Sequence, residues 1–242
     1  MPFYKYQPNA EWLAERRKYI TASDFISVYK LKNKPSDNVA HDKFQMMWLD
    51  KHSNNHFDDD FNVTGAAARG HCLEWNAIEQ VNADTLPFDD TPYFYHWDNM
   101  IIRNGIAAWS PDACDIKQGE GLVCEAEPKH IVEVKCYENK HHFECYYTDK
   151  TKLPERLQVA WAMAVSDSVE DAAVFFYNPS SAIPYFGKKY TREELYEEIA
   201  LAKHAISIYE QVDKEMTEFV KMFTPPLVTE EQIYADLVDE WR

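Results

Sequence analysis

The sequence predicts a mixed α/β fold, a central mixed sheet flanked by helices, and three observations carry that expectation. Up to about residue 83 the chain is dominated by helical composition. From Thr91 to Cys136 the texture changes to short β-rich runs separated by turn signals. From residue 153 a helix, two strands and a long amphipathic helix follow.

Each element has its own reason. Residues 11–19 (EWLAERRKY) read as a short helix. Thr21, Ala22, Ser23 and Asp24 then offer N-cap candidates for a second helix running to about Lys30. Residues 33–41 (NKPSDNVAH) read as a loop, and KFQMMWLDKH as a further helix. SNNHFDDDFN is a polar, acidic loop and the best internal break in the first third. Residues 64–83 are helical, with Leu73, Ala77, Ile78 and Val81 forming an apolar stripe. TPYFYHWD, MIIRNGIAAWS, GLVCEAE and HIVEVKC read as antiparallel-looking strands. Turn signals at Asp98-Asn99, Asn104-Gly105 and Gly119-Glu120-Gly121 separate them. Residues 153–166 return to helix, with Leu157, Trp161, Ala164 and Val165 on the buried side. DAAVFFYNP and AIPYFGKKY read as paired strands. Residues 192–223 form a long helix rich in i,i+4 charge pairs that ends before Pro225-Pro226, and TEEQIYADLVDEW supplies a last helix. Residues 1–242 read as a single domain.

Composition narrows the function classes. No segment approaches the roughly 18–20 apolar residues of a membrane span, and the first residues lack a signal-peptide core, so a soluble, intracellular protein is expected. The 5 cysteines form no CxxC pair and are odd in number, which argues for reduced thiols over a disulfide or zinc scaffold. Net charge is −16, which opposes non-specific binding to nucleic acid. The first 35 residues nevertheless carry seven basic against three acidic side chains, a local +4 that leaves −20 on the remainder. His141-His142 near Glu144 and Cys145 reads as part of a helical surface, and His71 beside Cys72 as incidental.

The chemistry concentrates in residues 109–136. Side chains alternate across a strand, so Ile131, Glu133 and Lys135 share one face and Val132, Val134 and Cys136 the other. The first face carries a carboxylate and an ammonium roughly 7 Å apart along the strand. Burying such charges without partners is costly, and a divalent cation would compensate them. Asp112 follows Pro111 where a strand runs out into a turn. If the intervening segment 114–130 folds back as a hairpin, Asp112 and Glu133 converge into an all-oxygen set suited to Mg²⁺. Lys135 would then orient a water and offset charge growing on a phosphate. Glu120, Glu125 and Glu127 compete as ligands but rank below Glu133, which alone has a lysine two residues on. Glu74, near the apolar side of its helix, and Gln158, beside a core leucine, are further candidates.

Pro-Asp followed by Glu-x-Lys is the PD-(D/E)xK signature. The wider set of words is more specific: Trp12, Arg16, Ile20, Thr21, Ala22 and Ser23; Gly70 with Glu74; Ser110-Pro111-Asp112; Glu133, Lys135 and Cys136; Gln158-Val159; Tyr177-Asn178-Pro179; and Glu240-Trp241-Arg242. In this order they resemble the phage lambda-type exonucleases, the YqaJ-like viral recombinase family. The resemblance implies a restriction-endonuclease-like core and a Mg²⁺-dependent 5′→3′ exonuclease that degrades one strand of duplex DNA from its end. Two Mg²⁺ ions per site are implied, with Mn²⁺ able to substitute. Asp112, Glu133 and the Val134 carbonyl would bind metal, Lys135 would serve the attacking water, and Glu74 and Gln158 would support the site. Arg16 and Ser23 would hold a terminal 5′-phosphate, as a guanidinium fork and a helix N-terminus can. The family context further implies a homotrimeric ring, a single-strand annealing recombinase as partner, and the cytoplasm of an infected or lysogenic host cell. A ring around DNA would place basic side chains on the channel and acidic ones outside. Segment 113–130 departs from the family pattern as a grown hairpin. The competing readings are a structure-specific or endo-acting nuclease of the same chemistry, and a non-catalytic DNA-end-binding protein.

Overall fold

The computed structural model describes residues 10–29, 35–52, 66–85, 92–148 and 153–223. The expected loop SNNHFDDDFN, the last helix and the Glu240-Trp241-Arg242 terminus lie outside the described residues.

The chain enters through two helices, α1 (Ala10–Arg16) and α2 (Ala22–Tyr29). Asp24 Oδ2 accepts from the backbone N–H of Thr21 at 2.8 Å and from its hydroxyl at 2.9 Å. A side chain at the third helical position thus reaches back to the residue that opens the helix. Next comes α3 (Asp37–His52), which corrects the loop expected over 33–41 from residue 37 onward, residues 33 and 34 lying outside the described residues. Ser36 and Asp37, taken as turn residues, instead start the helix: Ala40 N–H donates to the Ser36 carbonyl at 2.9 Å. The next helix, α4 (Ala66–Thr85), buries Ala77, Ile78 and Val81 as the stripe predicted and leaves Leu73 half-buried.

The β-rich block does not form one antiparallel run. Its strands are β1 (Tyr95–His96), β2 (Ile101–Asn104), β3 (Ala107–Trp109), β4 (Ala113–Cys114), β5 (Val123–Cys124) and β6 (His130–Lys135). They divide between two sheets. A small sheet has the order β3-β2-β5, with β2 and β5 parallel. The larger sheet adds β7 (Asp171–Tyr177) and β8 (Tyr185–Thr191) in the order β1-β4-β6-β7-β8. The 113–130 segment is therefore no simple hairpin. It returns β6 antiparallel to β4, with Ala113 opposite Val132, after lending β5 to the other sheet. The turn signals hold: Asn99, Gly105 and Gly121 have φ of 52°, 59° and 93°, in the left-handed region that Asn and Gly tolerate best.

Between β6 and β7, which pair in parallel, the chain crosses through α5 (Asn139–Thr148) and α6 (Leu153–Val165). The larger sheet is covered on both faces. On one, Ala77, Ile78 and Val81 pack on Val132, Val134 and Phe175. On the other, Ile131, Ala172, Val174 and Phe176 join the main core with α6. Beyond the expected Leu157, Trp161, Ala164 and Val165, α6 also buries Val159, Ala160, Ala162 and Met163. It is apolar nearly all round because α2 and the closing helix α7 (Tyr196–Phe223) cover its outer side. His142 is buried in α5, its Nε2 2.7 Å from the Ile183 carbonyl, which corrects its placement on a helical surface. Cys114 and Cys145 are buried, Cys124 and Cys136 half-buried and Cys72 exposed, and none of the five is in a disulfide. Among the described residues no helix is long and apolar enough to cross a membrane.

Candidate active site

β6 is the central strand of the larger sheet, and its alternation decides where its charges go. Val132 and Val134 turn to α4. Glu133 and Lys135 turn to the other face, where the Lys135 ammonium and the Gln158 amide both donate to Glu133 Oε1. Asp112 sits between β3 and β4, and its Oδ2 accepts from the Val134 N–H at 2.7 Å. This bond ties the Pro-Asp turn to the Glu-x-Lys strand. The Asp112 and Glu133 carboxyl groups lie close enough to act on each other's charge. From α4, Glu74 adds its charge to both.

The electrostatics follow from burial. Asp112 is held well above the ordinary carboxylate range, first by burial and then by Glu133 and Glu74, with Lys135 and the Val134 N–H offsetting part. Glu133 is raised as well, because burial outweighs the pull of Lys135. Burial also works against the Lys135 ammonium, but Glu133 and Asp112 outweigh it and raise its pKa. Glu74 goes the other way. Burial opposes its ionisation, yet His71 and His96 more than compensate and hold it below its usual value. His96 Nε2 lies 3.0 Å from one Glu74 oxygen and His71 Nδ1 3.6 Å from the other.

A cavity of about 210 Å³ joins this cluster to the N-terminal helices, lined both by Glu74, Asp112, Glu133 and Gln158 and by Trp12, Arg16 and Ser23. Arg16 donates to Ser23 Oγ at 3.1 Å, and its guanidinium lies 5.3 Å from the centre of the Trp12 ring. Two buried polar atoms of the same cavity, Trp12 Nε1 and Ser110 Oγ, have no hydrogen-bond partner. Buried donors are rarely left so, and an anionic ligand would satisfy them.

All seven side chains singled out from the sequence (Arg16, Ser23, Glu74, Asp112, Glu133, Lys135, Gln158) belong to this cluster or cavity, while Val134 enters through its N–H. The competitors Glu125 and Glu127 line a different cavity, with Arg103 and Asp167. Sequence reasoning gave no role to Trp12, Ser110, His71 or His96. The first two lay inside the quoted motif words. His71 stands three residues before Glu74 on the same helix, a spacing that could have flagged it. His96 carries no local signal, because its partnership with Glu74 joins β1 to α4.

Among the described residues no group of three or more His, Cys, Asp and Glu side chains is arranged as a metal cage. The donor chemistry nonetheless fits a hard divalent cation. Asp112, half-buried, and Glu133, buried, are two neighbouring carboxylates whose repulsion a cation would relieve, and backbone carbonyl and water oxygens complete such sets.

A mixed sheet flanked by helices, with Pro-Asp and Glu-x-Lys brought side by side at its centre, defines the PD-(D/E)xK class of α/β proteins. The particular family follows from sequence comparison. The YqaJ-like viral recombinase domain matches residues 11–169, a span that holds every residue of the cluster, and the chain belongs to this family. Among solved structures it is similar to an alkaline exonuclease, LHK-Exo from Laribacter hongkongensis. The complex of LHK-Exo with dAMP matches at 18% identity and TM-score 0.59, covering 88% of this chain and 100% of that one. A second LHK-Exo structure matches at 17% identity and TM-score 0.52, covering 87% and 100%. At these identities the likeness is one of fold. Among curated protein sequences, none matches this chain.

Proposed function

We propose that the protein is a Mg²⁺-dependent 5′→3′ exonuclease that hydrolyses one strand of double-stranded DNA from its end, releasing 5′-mononucleotides and leaving a 3′ single-stranded overhang. The observation that carries this reading is one cavity lined by two groups: the guanidinium and hydroxyl pair of Arg16 and Ser23, and the paired carboxylates of Asp112 and Glu133. A pocket that holds the terminal 5′-phosphate sets the next phosphodiester at the carboxylates. Water attacks that phosphorus, the bond to the 3′-oxygen breaks, and the new end again carries a 5′-phosphate. Family membership and the shared fold of LHK-Exo support the same reading.

Asp112, Glu133 and the Val134 carbonyl would hold the cation, with Glu74 and Gln158 supporting a second one or the attacking water. Bound there, divalent ions supply Lewis-acid stabilisation of the charge growing on phosphate and on the leaving oxygen. Lys135 orients the water and offsets that charge. Trp12 Nε1 and Ser110 Oγ add donors for phosphate oxygens. In the cell, a homotrimeric ring around duplex DNA and delivery of the overhang to a single-strand annealing recombinase complete the proposal.

Digestion of linear duplex bearing 5′-phosphate or 5′-hydroxyl, with Mg²⁺ or with EDTA, tests polarity, metal need and pocket together. Mg²⁺-dependent release of mononucleotides with a preference for 5′-phosphate is expected, and Arg16→Ala removes the preference. Lys135→Ala abolishes digestion and leaves duplex binding in EDTA within about twofold of the parent. Cleavage of covalently closed duplex at a comparable rate would refute the exonuclease reading.

A further inference from the structure

Glu155 is a buried acid that the reaction as described does not use. It lies in the first turn of α6, 2% exposed. One of its oxygens accepts from the Tyr137 hydroxyl. The other, Oε2, has no hydrogen-bond partner. An acid is favoured in a first helical turn, but an exposed one would serve the helix dipole equally well at no desolvation cost. Something else must account for its burial.

The answer lies in how α6 faces β6. A crossover helix between two parallel strands runs antiparallel to the first of them. One turn back from Gln158, which meets Glu133, is Glu155. Two residues on from Glu133 is Lys135. Three helical residues rise about 4.5 Å and two strand residues about 6.7 Å, so the same helix face spans both pairs. The Glu155 charge accordingly acts on the Lys135 ammonium. We propose that Glu155 is a positioning residue for Lys135, a second carboxylate on the far side of the ammonium, held in place by the Tyr137 hydroxyl.

The need for it is geometric. An ammonium has three N–H donors, and in the structure Glu133 Oε1 takes one of them while also accepting from Gln158. In the proposed reaction Glu133 also holds the cation, a task that competes with anchoring Lys135. With Glu155 in place, Lys135 stays anchored when Glu133 turns away. This inference rests on the reading of Lys135 as the residue that serves the attacking water.

Two experiments test it. In a crystal structure of metal-free Glu133→Gln, Lys135 Nζ should lie within hydrogen-bond distance of Glu155 Oε2; an ammonium turned to solvent overturns the proposal. In kinetics, Glu155→Gln keeps shape and the Tyr137 bond but removes the charge. Its kcat on 5′-phosphorylated duplex should fall about tenfold, with KM within about twofold and an unchanged or raised Tm. A purely structural role would lower Tm and leave kcat, and that outcome also overturns the proposal. Should Glu155→Gln fail to fold, Tyr137→Phe decides, since it frees the carboxylate without removing it: kcat should fall with KM unchanged, and an unchanged kcat counts against the role. If wild-type protein digests DNA, Lys135→Ala does not, and Glu155→Gln is fully active, this inference alone fails. If wild-type protein digests nothing, the function reading fails with it.

Discussion

Asp112 shows what a single half-buried residue costs and supplies. Its carboxyl is pushed above the ordinary value of 3.8 by burial and by two neighbouring carboxylates. In the unfolded chain those causes vanish. Between the ordinary value and the raised one, the folded protein therefore keeps a proton that the unfolded chain has released. Raising the pH through that window favours unfolding, by up to about 1.4 kcal/mol per pH unit for one such group. Asp112→Asn keeps an oxygen for the Val134 N–H and has no proton to lose. In EDTA its stability advantage over the parent should grow as pH rises above about 4 and level off once Asp112 is ionised. Urea midpoints at a series of pH values measure this, and an advantage that shrinks with pH would show that the carboxylates do not repel. With Mg²⁺ added at neutral pH the order should reverse if the proposed cation site is real, because only the parent keeps both of its carboxylates. Most of this site was legible from local words, since Pro-Asp and Glu-x-Lys each sit within three residues. His96 was not, because its partner Glu74 lies 22 residues away on another element; His71, three residues before Glu74 on α4, had a readable spacing that was passed over.

At the scale of elements, α2 shows how a helix start serves the cavity. Asp24 accepts from Thr21 twice and from the Lys51 ammonium at 2.7 Å, while Lys51 also donates to the Tyr19 carbonyl at 2.6 Å. One carboxylate thereby ties α2 to α3 and fixes the turn that presents Ser23 to Arg16. Asp24→Ala removes the cap and strands a mostly buried ammonium, at a cost of about 2–4 kcal/mol. Equilibrium urea unfolding should show that loss, and the folded fraction should discriminate less between 5′-phosphate and 5′-hydroxyl ends. A loss below about 0.5 kcal/mol would mean that the ion pair is solvated and incidental. Most helices and the β7–β8 pair were readable from periodicity and turn chemistry, because those signals are local. The start of α3 was misread because Ser and Asp serve turns and helix N-termini alike. The division of residues 95–135 between two sheets was missed because strand pairing depends on partners distant in sequence: β5 pairs in parallel with β2, and β6 with β7.

For the whole molecule, the governing quantity is a net charge of −16 on a chain proposed to take up a polyanion. Two ranges of force then compete. The acidic body repels duplex DNA, which carries one negative charge per about 1.7 Å, over a distance set by the Debye length, about 30 Å in 0.01 M salt and 10 Å in 0.1 M. On the proposed reading the Arg16 pocket attracts phosphate over a few ångströms, from a half-buried position where mobile ions screen it less. Adding salt should first remove the repulsion and only later weaken the contacts. With Mg²⁺ held constant, kcat/KM on linear duplex should therefore rise by about twofold or more between 10 and 100 mM KCl and fall at higher salt. A DNA-binding surface that is basic throughout gives a steady decline over the same range. A monotonic loss from 10 mM upward would mean that a basic lining, assembled around the DNA by several copies of the chain, outweighs the acidic exterior. The same titration on Arg16→Ala separates the two forces. The low-salt rise belongs to the body and should persist, while the later fall should become shallower, because one phosphate contact fewer remains to be screened.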